Sequence, residues 1–595
     1  MKPRRKKSPS SSSSVVSPLS QLIGGSVVQQ QIVAALLILL TLFTLVAFGA
    51  VFRIPSLDAA APQDSSAHKL LPFLQKQHPG LKALEKKLAL EQERHQKEEL
   101  QFPNNNKDTT NAAGDNSKKD ALYRVQHTFP VMVGEDDMEE IVHPGVAYSI
   151  SPNPQLPRTI SVPKFWDSTE AYGPGGVRGF LGNHGQDLMT PQQAASVGSY
   201  VPARDDPNNL LETIYVSVAS YRDPECLPTI ESILERARYP ERIRVAVIDQ
   251  RSTATTTGQQ QPQQQDNDEQ YFCRPKSCGS QQESVVCQSN VDYYTLDARL
   301  SVGPVFARHL AHRMFRGEYF AMQVDSHVRF TQDWDVDLVA QWKSAQNEMC
   351  VLTTYLSDII GSIDPVTHQS IHNGRPIMCK SDYEGSGKLK HLRHGQQPEG
   401  PAGIHGQPTL QPFWAAGFSF ARAHFVTQVP YDQYLPMVFQ GEEISMGLRG
   451  FTYGYDYYTA ERAVCFHMYA IKENSAKRHK VKLFWENAPR YTGVELKAMK
   501  RLNAIIGMTT DDPDYDHSEQ DKYGLGQVRQ PDQFFETFGI HRDTQTVEQN
   551  LCTFVGKPMM KEFKPHLRTN RMGINYDEIH YRFVDPRPPK RGPRL

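Results

Sequence analysis

The sequence predicts an α/β fold in which helices flank a mainly parallel sheet. Residues 213–223 (TIYVSVASYRD) and 242–250 (RIRVAVIDQ) are rich in β-branched residues, and residues 227–238 between them have the pattern of a helix. A strand, a helix and a second strand in this order form a β-α-β unit, which joins parallel strands. The alternation continues with a helix from Pro304 and a strand that ends at Asp325, which again favours a parallel sheet.

The first two predicted strands end in polar side chains. Ser220, Arg222 and Asp223 follow the first strand, and Asp249 ends the second. Ligands of open parallel sheets bind beyond the carboxyl ends of the strands. We therefore expect these four residues at one rim of the sheet, where a ligand can reach them.

The strand before Asp325 predicts a metal site. A short apolar run from residue 319 to residue 324 ends in Asp325, Ser326 and His327. Because side chains alternate along a strand, Asp325 and His327 share a face. Carboxylate oxygen and imidazole nitrogen together suit Mn²⁺ or another divalent cation such as Mg²⁺. The alternative is that Asp325 only caps the following turn and that His327 is an ordinary surface residue.

The helix upstream of that strand carries an arginine on its first turns. A Ser-Val-Gly-Pro turn at 301–304 opens the helix, and Arg308 follows. Backbone N–H groups and a guanidinium at a helix start can bind an anion such as a nucleotide diphosphate. The alternative is a solvated basic helix face.

A second cluster of polar residues lies between 439 and 469. Glu442 and Glu443 stand at the start of a predicted helix, and Asp456 and His467 follow it. The segment RAVCFHMYA has the alternation of a strand that buries one face and directs His467 to the rim. His467 lies 140 positions after His327, so only the fold can bring the two together. The alternative is a core histidine bonded to a backbone carbonyl.

The amino-terminal part predicts a membrane anchor. Residues 32–52 are uncharged and mostly apolar, and at about 1.5 Å per residue they span roughly 30 Å, the hydrocarbon thickness of a bilayer. Five basic residues within 1–31 predict a cytosolic tail by the positive-inside rule. We therefore expect a single-pass type II protein of the Golgi or endoplasmic reticulum membrane, with everything after about residue 53 in the lumen.

The composition of the remaining regions predicts their flexibility, their compartment and the absence of a nucleic-acid partner. Residues 53–210 are predicted to be a largely flexible stem, whose helical part at 81–100 could self-associate into a homo-oligomer. The eight cysteines suit an oxidising lumen, although their pairing cannot be read from the sequence. The 65 Lys and Arg residues nearly balance the 66 Asp and Glu residues, so no nucleic-acid partner is predicted.

Six motifs in order resemble a known family. They are VSVASYRD, SVGPVFAR, QVDSHVRFTQDWD, AAGFSF, FQGEEISMGLRGFTYGYDYY and YGLGQVRQPDQFFETFGI. Together they resemble the hydroxyproline-linked polypeptide N-acetylglucosaminyltransferase family of glycosyltransferases. The resemblance implies a GT-A-type, Rossmann-like catalytic domain over 211–500 with a carboxyl-terminal extension and tail at 501–595. It also implies a UDP-sugar donor, a divalent cation and retention of the anomeric configuration.

The resemblance also implies roles for single residues. Asp325 and His327 look like its D-x-H metal motif, and His467 looks like the distal histidine of related mucin-type transferases. Arg222, Asp249 and Arg308 resemble its nucleotide contacts, and Ser220 and Asp325, from their place at the rim, are also assigned to nucleotide-sugar binding. Glu442 and Glu443 resemble the acidic pair beside the acceptor, and Asp456 is also assigned to catalysis.

The expected function is transfer of a sugar, N-acetylglucosamine from UDP-N-acetylglucosamine in the typical member, to a hydroxyl on a protein or glycan acceptor. Two alternatives stay open, a GT-A-fold glycan- or peptide-binding protein that lost catalysis and a transferase with another nucleotide sugar. A nucleotide-dependent kinase or sulfotransferase is disfavoured because the sequence has no G-x4-GK[ST] loop.

Overall fold

The structure is a computed structural model that describes residues 133–182, 187–252, 272–276, 284–372, 374–399, 402–508 and 514–586. The predicted cytosolic tail, membrane span and helical part of the stem lie outside these ranges. Within them, no helix combines the length and the apolar character that a membrane span requires.

The described residues form strands that we number in chain order. Their bounds are β1 Met138–Val142, β2 Thr159–Pro163, β3 Tyr200–Pro202, β4 Leu210–Glu212, β5 Ile214–Tyr221, β6 Ile243–Arg251, β7 Asn290–Asp297, β8 Phe320–Asp325, β9 Val328–Phe330, β10 Cys350–Thr353, β11 Arg375–Glu384, β12 His391–Glu399, β13 Thr409–Leu410, β14 Phe418–Arg422, β15 Asp456–Thr459, β16 Cys465–His467, β17 Ile540–His541 and β18 Thr546–Val547.

The α-helices of the described residues are numbered in the same way. Their bounds are α1 Pro144–Tyr148, α2 Thr169–Tyr172, α3 Gly176–Phe180, α4 Pro191–Ser196, α5 Cys226–Glu235, α6 Pro304–Arg313, α7 Trp334–Ser344, α8 His424–Gln428, α9 Glu442–Thr452, α10 Ser475–Arg478, α11 Val494–Ile505, α12 Gln520–Tyr523, α13 Pro531–Thr537 and α14 Lys557–Phe563.

An eight-stranded sheet forms the centre of the domain. Its strand order is β13-β15-β10-β14-β8-β5-β6-β7, and only β13 and β14 run against the other six strands. Every residue of β6 from 243 to 250 is buried, as expected for a strand that is covered on both faces. The structure therefore confirms the predicted α/β class with a mainly parallel sheet.

Strand register brings the predicted rim residues to one edge. Ser220 of β5 lies opposite Asp249 of β6, and Ala219 of β5 lies opposite Asp325 of β8. Three neighbouring parallel strands thus end at the same level in polar side chains. This carboxyl edge is where open α/β sheets bind ligands.

The predicted flexible stem is wrong from residue 133 onwards. The hairpin of β1 and β2 buries Val162 completely, and the ring of His143 is buried and bonds the Leu300 carbonyl at 2.8 Å. The Tyr148 hydroxyl donates to Asp516 at 2.6 Å. These segments are short, so each contributes one or two apolar residues to a core that other parts of the chain complete. No single window of the sequence shows the periodicity of such elements.

The carboxyl-terminal residues belong to the same core. The rings of Phe451 in α9 and Phe534 in α13 lie 5.4 Å apart, and Phe534 also contacts Phe413 at 6.0 Å. Phe563 of α14 is completely buried. The described residues from 514 to 586 therefore pack onto the domain that contains the sheet.

Candidate active site

The structure brings the three predicted metal ligands together. Asp325 ends β8, His327 lies between β8 and β9, and His467 ends β16, which pairs antiparallel with β9. The two imidazole rings lie 4.4 Å apart, and Nε2 of His467 lies 3.5 Å from Oδ2 of Asp325. One possible ligand atom from each residue lies within 4.8 Å of the other two. We call Asp325, His327 and His467 the triad.

The triad fits a divalent cation. Nδ1 of His327 is already bonded to Asp223, so its other ring nitrogen is the one that can bind a metal. Burial lowers the pKa of His467, which favours the neutral imidazole that a metal requires. One carboxylate and two imidazoles form a donor set that accommodates Mn²⁺.

Asp223 orients His327. Its Oδ2 lies 2.8 Å from Nδ1 of His327, and Arg478 of α10 donates to both carboxylate oxygens at 2.8 and 3.0 Å. Burial alone would raise the pKa of Asp223, but the bonds and charges of His327 and Arg478 keep it well below its usual value. A carboxylate that holds a metal-binding histidine fixes the ring orientation and the tautomer. The sequence placed Asp223 at the rim but gave no signal of this role or of Arg478.

Arg308 joins the triad to α9. Its guanidinium donates to Oδ1 of Asp325 at 2.7 Å and to Oε1 of Glu442 at 2.5 Å, and the Tyr431 hydroxyl donates to the same Glu442 oxygen at 2.7 Å. Burial alone would raise the pKa of Asp325, but His467 and Arg308 keep it well below its usual value. Glu442 is only 3% exposed and is bonded on this inner side. It acts here as a positioning residue for Arg308.

Glu443 directly follows Glu442 in α9. Its Oε1 accepts the Ala416 N–H at 3.0 Å, and its Oε2 accepts the hydroxyl of Tyr355. Burial raises the pKa of Glu443 to about 7. A side chain at Gly417 would place its Cβ 3.1 Å from Oδ2 of Asp325, so the backbone passes close to the triad at this point.

The predicted nucleotide residues line the sheet edge beside the triad. Within the described residues, Oγ of Ser220 is buried without a hydrogen-bond partner. Burial raises the pKa of Asp249, and the cations Arg251 and Arg274 oppose that rise from 3.4 and 3.8 Å. The guanidinium of Arg274 lies 4.5 Å from the centre of the Tyr293 ring. Polar groups and a cation thus surround an edge that a nucleotide can occupy.

Arg222 occupies the end of β5 in an unusual conformation. Its φ of +49° is in the left-handed region, and its guanidinium donates to Glu486 at 2.8 Å. The Tyr221 hydroxyl donates to the same carboxylate at 2.5 Å. Arg222 therefore reaches the predicted rim but is paired there with an acidic residue.

The prediction that Asp456 is catalytic is corrected. Asp456 begins β15, whereas Asp325 ends β8, and because the two strands run in the same direction the residues lie at opposite edges of the sheet. Asp456 is buried and accepts bonds from Arg529, Asn347 and the Ile574 N–H, each at 2.8 Å. It fastens the carboxyl-terminal segment to the sheet. The sequence alone cannot tell whether an acidic residue near a glycine-rich turn is catalytic or holds two segments of the chain together.

Comparison with known proteins identifies the class. A family model described as "Glycosyltransferase (GlcNAc)" matches residues 213–544, which begin just before β5 and include the whole triad. Because the match covers more than half of the chain, the chain belongs to this family and is a glycosyltransferase enzyme. No curated protein matches the chain in sequence.

Two solved structures show a distant likeness. One is GalNAc-T7 with UDP, GalNAc and Mn²⁺, which is 14% identical and matches over 67% of this chain and 71% of its own, with a TM-score of 0.34. The other is S. aureus TarS 1-349 in complex with UDP-GlcNAc, which is 12% identical and matches over 55% of this chain and 73% of its own, with a TM-score of 0.26. With such low TM-scores, the family assignment rests on the family model alone.

Asp325→Asn is expected to abolish tight Mn²⁺ binding without unfolding the protein. The substitution removes the only carboxylate of the triad, while Arg308 keeps its bond to Glu442. Titration of Mn²⁺ followed by electron paramagnetic resonance measures the binding, and a thermal melt checks the fold. An unchanged Mn²⁺ affinity would refute the triad as a metal site.

Asp456→Ala is expected to destabilise the protein without weakening Mn²⁺ binding, the reverse of Asp325→Asn. It leaves the Arg529 guanidinium buried and without its acidic partner, a change that costs about 3–5 kcal/mol of unfolding free energy. Denaturant unfolding measures the loss, and Mn²⁺ affinity of the folded protein should stay at the wild-type value. If the variant has normal stability but no transfer activity, a catalytic role of Asp456 is supported instead.

Asp223→Asn is expected to weaken Mn²⁺ binding about 10–100-fold, because the amide no longer holds His327 as a charged acceptor does. Asp543→Asn, on an exposed surface position, is the matched control. Calorimetric titration compares both variants with the wild type. If both variants bind equally well, Asp223 does not position the ligand.

Proposed function

We propose that the protein transfers N-acetylglucosamine from UDP-N-acetylglucosamine to a hydroxyl on a protein or glycan acceptor. The triad is proposed to hold the divalent cation of this reaction, with Mn²⁺ as the first candidate. The observation that carries the proposal is the convergence of Asp325, His327 and His467 beside Arg308 at the carboxyl edge of the sheet. The description of the matching family supports the donor sugar.

The donor nucleotide is proposed to lie along the ends of β5 and β6. Ser220 and Asp249 sit side by side there, and both have a buried oxygen that no described residue hydrogen-bonds. A ribose hydroxyl or a base N–H supplies the missing partners. The diphosphate then extends towards β8, where the triad ends the next strand.

The triad and its supports provide the charge that the reaction requires. A divalent cation supplies Lewis-acid stabilisation of the leaving diphosphate when it is bound. Asp223 keeps His327 in one tautomer, and Arg308 keeps Asp325 in one orientation. Asp325, Glu442 and Arg308 together carry one net negative charge, which favours a cation over water at this place.

Glu443 is proposed to orient the acceptor hydroxyl. In the transfer, the acceptor oxygen forms a bond to the sugar C1 while the bond from C1 to the UDP oxygen breaks. UDP leaves with the bonding electron pair, and in a retaining reaction the acceptor proton passes to the departing diphosphate. Should the enzyme invert, Glu443 is the general base, and its raised pKa of about 7 suits that task near neutral pH.

The compartment is proposed from the anchor and the disulfides. Residues 32–52 would hold a type II protein in the Golgi or endoplasmic reticulum membrane, with the catalytic domain in the lumen. Disulfides Cys226–Cys273 and Cys379–Cys552 support this location because such bonds persist in oxidising compartments.

UDP release from a panel of donors tests the proposal. The full-length chain in detergent is expected to release UDP from UDP-N-acetylglucosamine faster than from UDP-glucose or UDP-N-acetylgalactosamine, and only when Mn²⁺ is present. Asp325→Asn is the inactive control. Nuclear magnetic resonance of the first product reports the anomeric configuration, and an α linkage from the α donor shows retention.

Two outcomes would favour the alternatives. A protein that binds UDP but releases none from any donor would be a binding module that lost catalysis. Preference for another donor would keep the enzyme class and replace the sugar.

A further inference from the structure

A tyrosine that the sequence does not single out, Tyr355, lies at the same edge of the sheet as the triad. β14 lies between β8 and β10 and runs antiparallel to both, so its first residues lie at the edge where β8 and β10 end. Phe418, which begins β14, lies opposite Val324. Residues 416–417, just before β14, and Tyr355, two positions after β10, are thereby placed at the edge that carries Asp325.

Glu443 is held at this edge by two hydrogen-bond donors. Its Oε1 accepts the Ala416 N–H at 3.0 Å, and its Oε2 accepts the Tyr355 hydroxyl. The residue after Ala416 is Gly417, whose backbone comes close to Oδ2 of Asp325. Glu443 is partly exposed, and a carboxylate oxygen can accept a second bond. A substrate hydroxyl can therefore still donate to this carboxylate.

The Tyr355 hydroxyl opposes the protonation of Glu443. Burial raises the pKa of Glu443 to about 7, the charge of Glu442 adds to the rise, and Tyr355, Ala416 and Arg308 oppose it. Burial and the charge of Glu443 raise the pKa of Tyr355 well above its usual value, so its hydroxyl stays protonated at physiological pH. Because a donor bonded to a carboxylate favours the ionised form, loss of this hydroxyl would raise the pKa of Glu443 further.

The segment that carries Tyr355 also holds a metal ligand. Within residues 355–359, the Ser357 carbonyl accepts the N–H of His467, and the Ile359 N–H donates to the His467 carbonyl, both at 2.9 Å. These bonds fix the backbone of His467 relative to Tyr355. The donor to Glu443 and the support of a triad histidine are therefore mounted on one short stretch of chain.

A second tyrosine joins the two sides of this arrangement. The ring of Tyr469 lies 4.0 Å from that of His467, and its hydroxyl donates to the Leu356 carbonyl at 2.9 Å. Burial raises the pKa of Tyr469, and the charges of Asp325 and Glu443 add to the rise. Both carboxylates thus act on one phenol, which places Glu443 in the same part of the site as the triad.

We propose that Tyr355 is a positioning residue for glycosyl transfer, which holds Glu443 as an oriented carboxylate at a place fixed relative to the metal site. The proposal rests on the function proposed above, in which Glu443 orients the attacking hydroxyl. Tyr355 acts through Glu443, and residues 355–359 keep this carboxylate and His467 in a constant relation.

Tyr355→Phe tests the proposal because it removes the hydroxyl and keeps the ring. Infrared titration of the full-length protein in detergent with Mn²⁺ measures the protonation of Glu443, whose carboxyl band is the one that Glu443→Gln removes. The midpoint is expected near pH 7 in the wild type and about one pH unit higher in Tyr355→Phe, since the carboxylate loses a donor. This measurement requires neither a donor sugar nor an acceptor.

Hydrolysis of UDP-N-acetylglucosamine gives the second readout, with water as the attacking hydroxyl. The water oxygen forms a bond to C1 while the bond from C1 to the UDP oxygen breaks. UDP leaves with the electron pair, and one water proton passes to Glu443 or to the departing diphosphate. If the ionised carboxylate is the active form, activity is lost as the pH falls, and in Tyr355→Phe it is lost at a higher pH. A shift of one pH unit lowers the rate at pH 7 about fivefold.

A double-mutant cycle shows whether Tyr355 acts through Glu443. Tyr355→Phe is expected to lower the hydrolysis rate in the wild type but to change it less than about twofold when Glu443→Gln is already present. Tyr383→Phe is the matched control, because this hydroxyl of β11 contacts only the Met508 sulfur, at 3.7 Å, among the described residues. It should leave both the infrared midpoint and the hydrolysis rate unchanged.

The outcomes separate this inference from the function on which it rests. Wild-type hydrolysis with an unshifted infrared midpoint in Tyr355→Phe refutes the inference alone. An equal loss of rate at every pH, repeated in full on the Glu443→Gln background, also refutes it, because the defect then does not pass through Glu443. A protein that hydrolyses no donor refutes the proposed function and, with it, the role of Tyr355 in transfer.

Discussion

The arrangement of the site depends on one buried cation. Arg308 comes from α6 and bonds Asp325 at the end of β8 and Glu442 at the start of α9. A buried guanidinium is tolerated only where acidic partners compensate for its lost hydration. Three elements are thereby fixed relative to one another by a single side chain. The position of the triad carboxylate and the start of the helix that carries Glu443 follow from this contact.

The third triad residue, His467, comes from a short antiparallel strand pair and not from the large sheet. β8 delivers Asp325, but His467 arrives through the pairing of β16 with β9, in which His467 lies opposite Val328. The N–H of His467 donates to the Ser357 carbonyl, and its own carbonyl accepts the Ile359 N–H, both at 2.9 Å. Backbone bonds on both sides hold the histidine in place, so the triad is assembled by the fold and does not depend on a metal to gather its parts.

Local signals in the sequence predict one part of the site. The strand ending at Asp325 and the rim position of Asp249 follow from apolar runs and the geometry of parallel sheets. The structural role of Asp456 is not predictable from the sequence, because burial and its pairing with Arg529, 73 positions away, leave no local trace. The hairpin of β11 and β12 also lacks a local signal, because its polar residues hide the alternation of strands. Such elements are specified by contacts that are distant in the chain.

The Cys379–Cys552 disulfide borders a cavity of about 680 Å³ between the hairpin of β11 and β12 and residues 547–553. It joins β11 to the segment after β18 across 173 positions of the chain, and both cysteines line the cavity. The two walls are therefore held at a fixed separation before any ligand arrives. Any ligand bound between these walls would meet a surface that is already ordered, so the walls themselves would lose little conformational entropy. Reduction of this one bond would release the hairpin of β11 and β12 from residues 547–553, although no other covalent bond had changed.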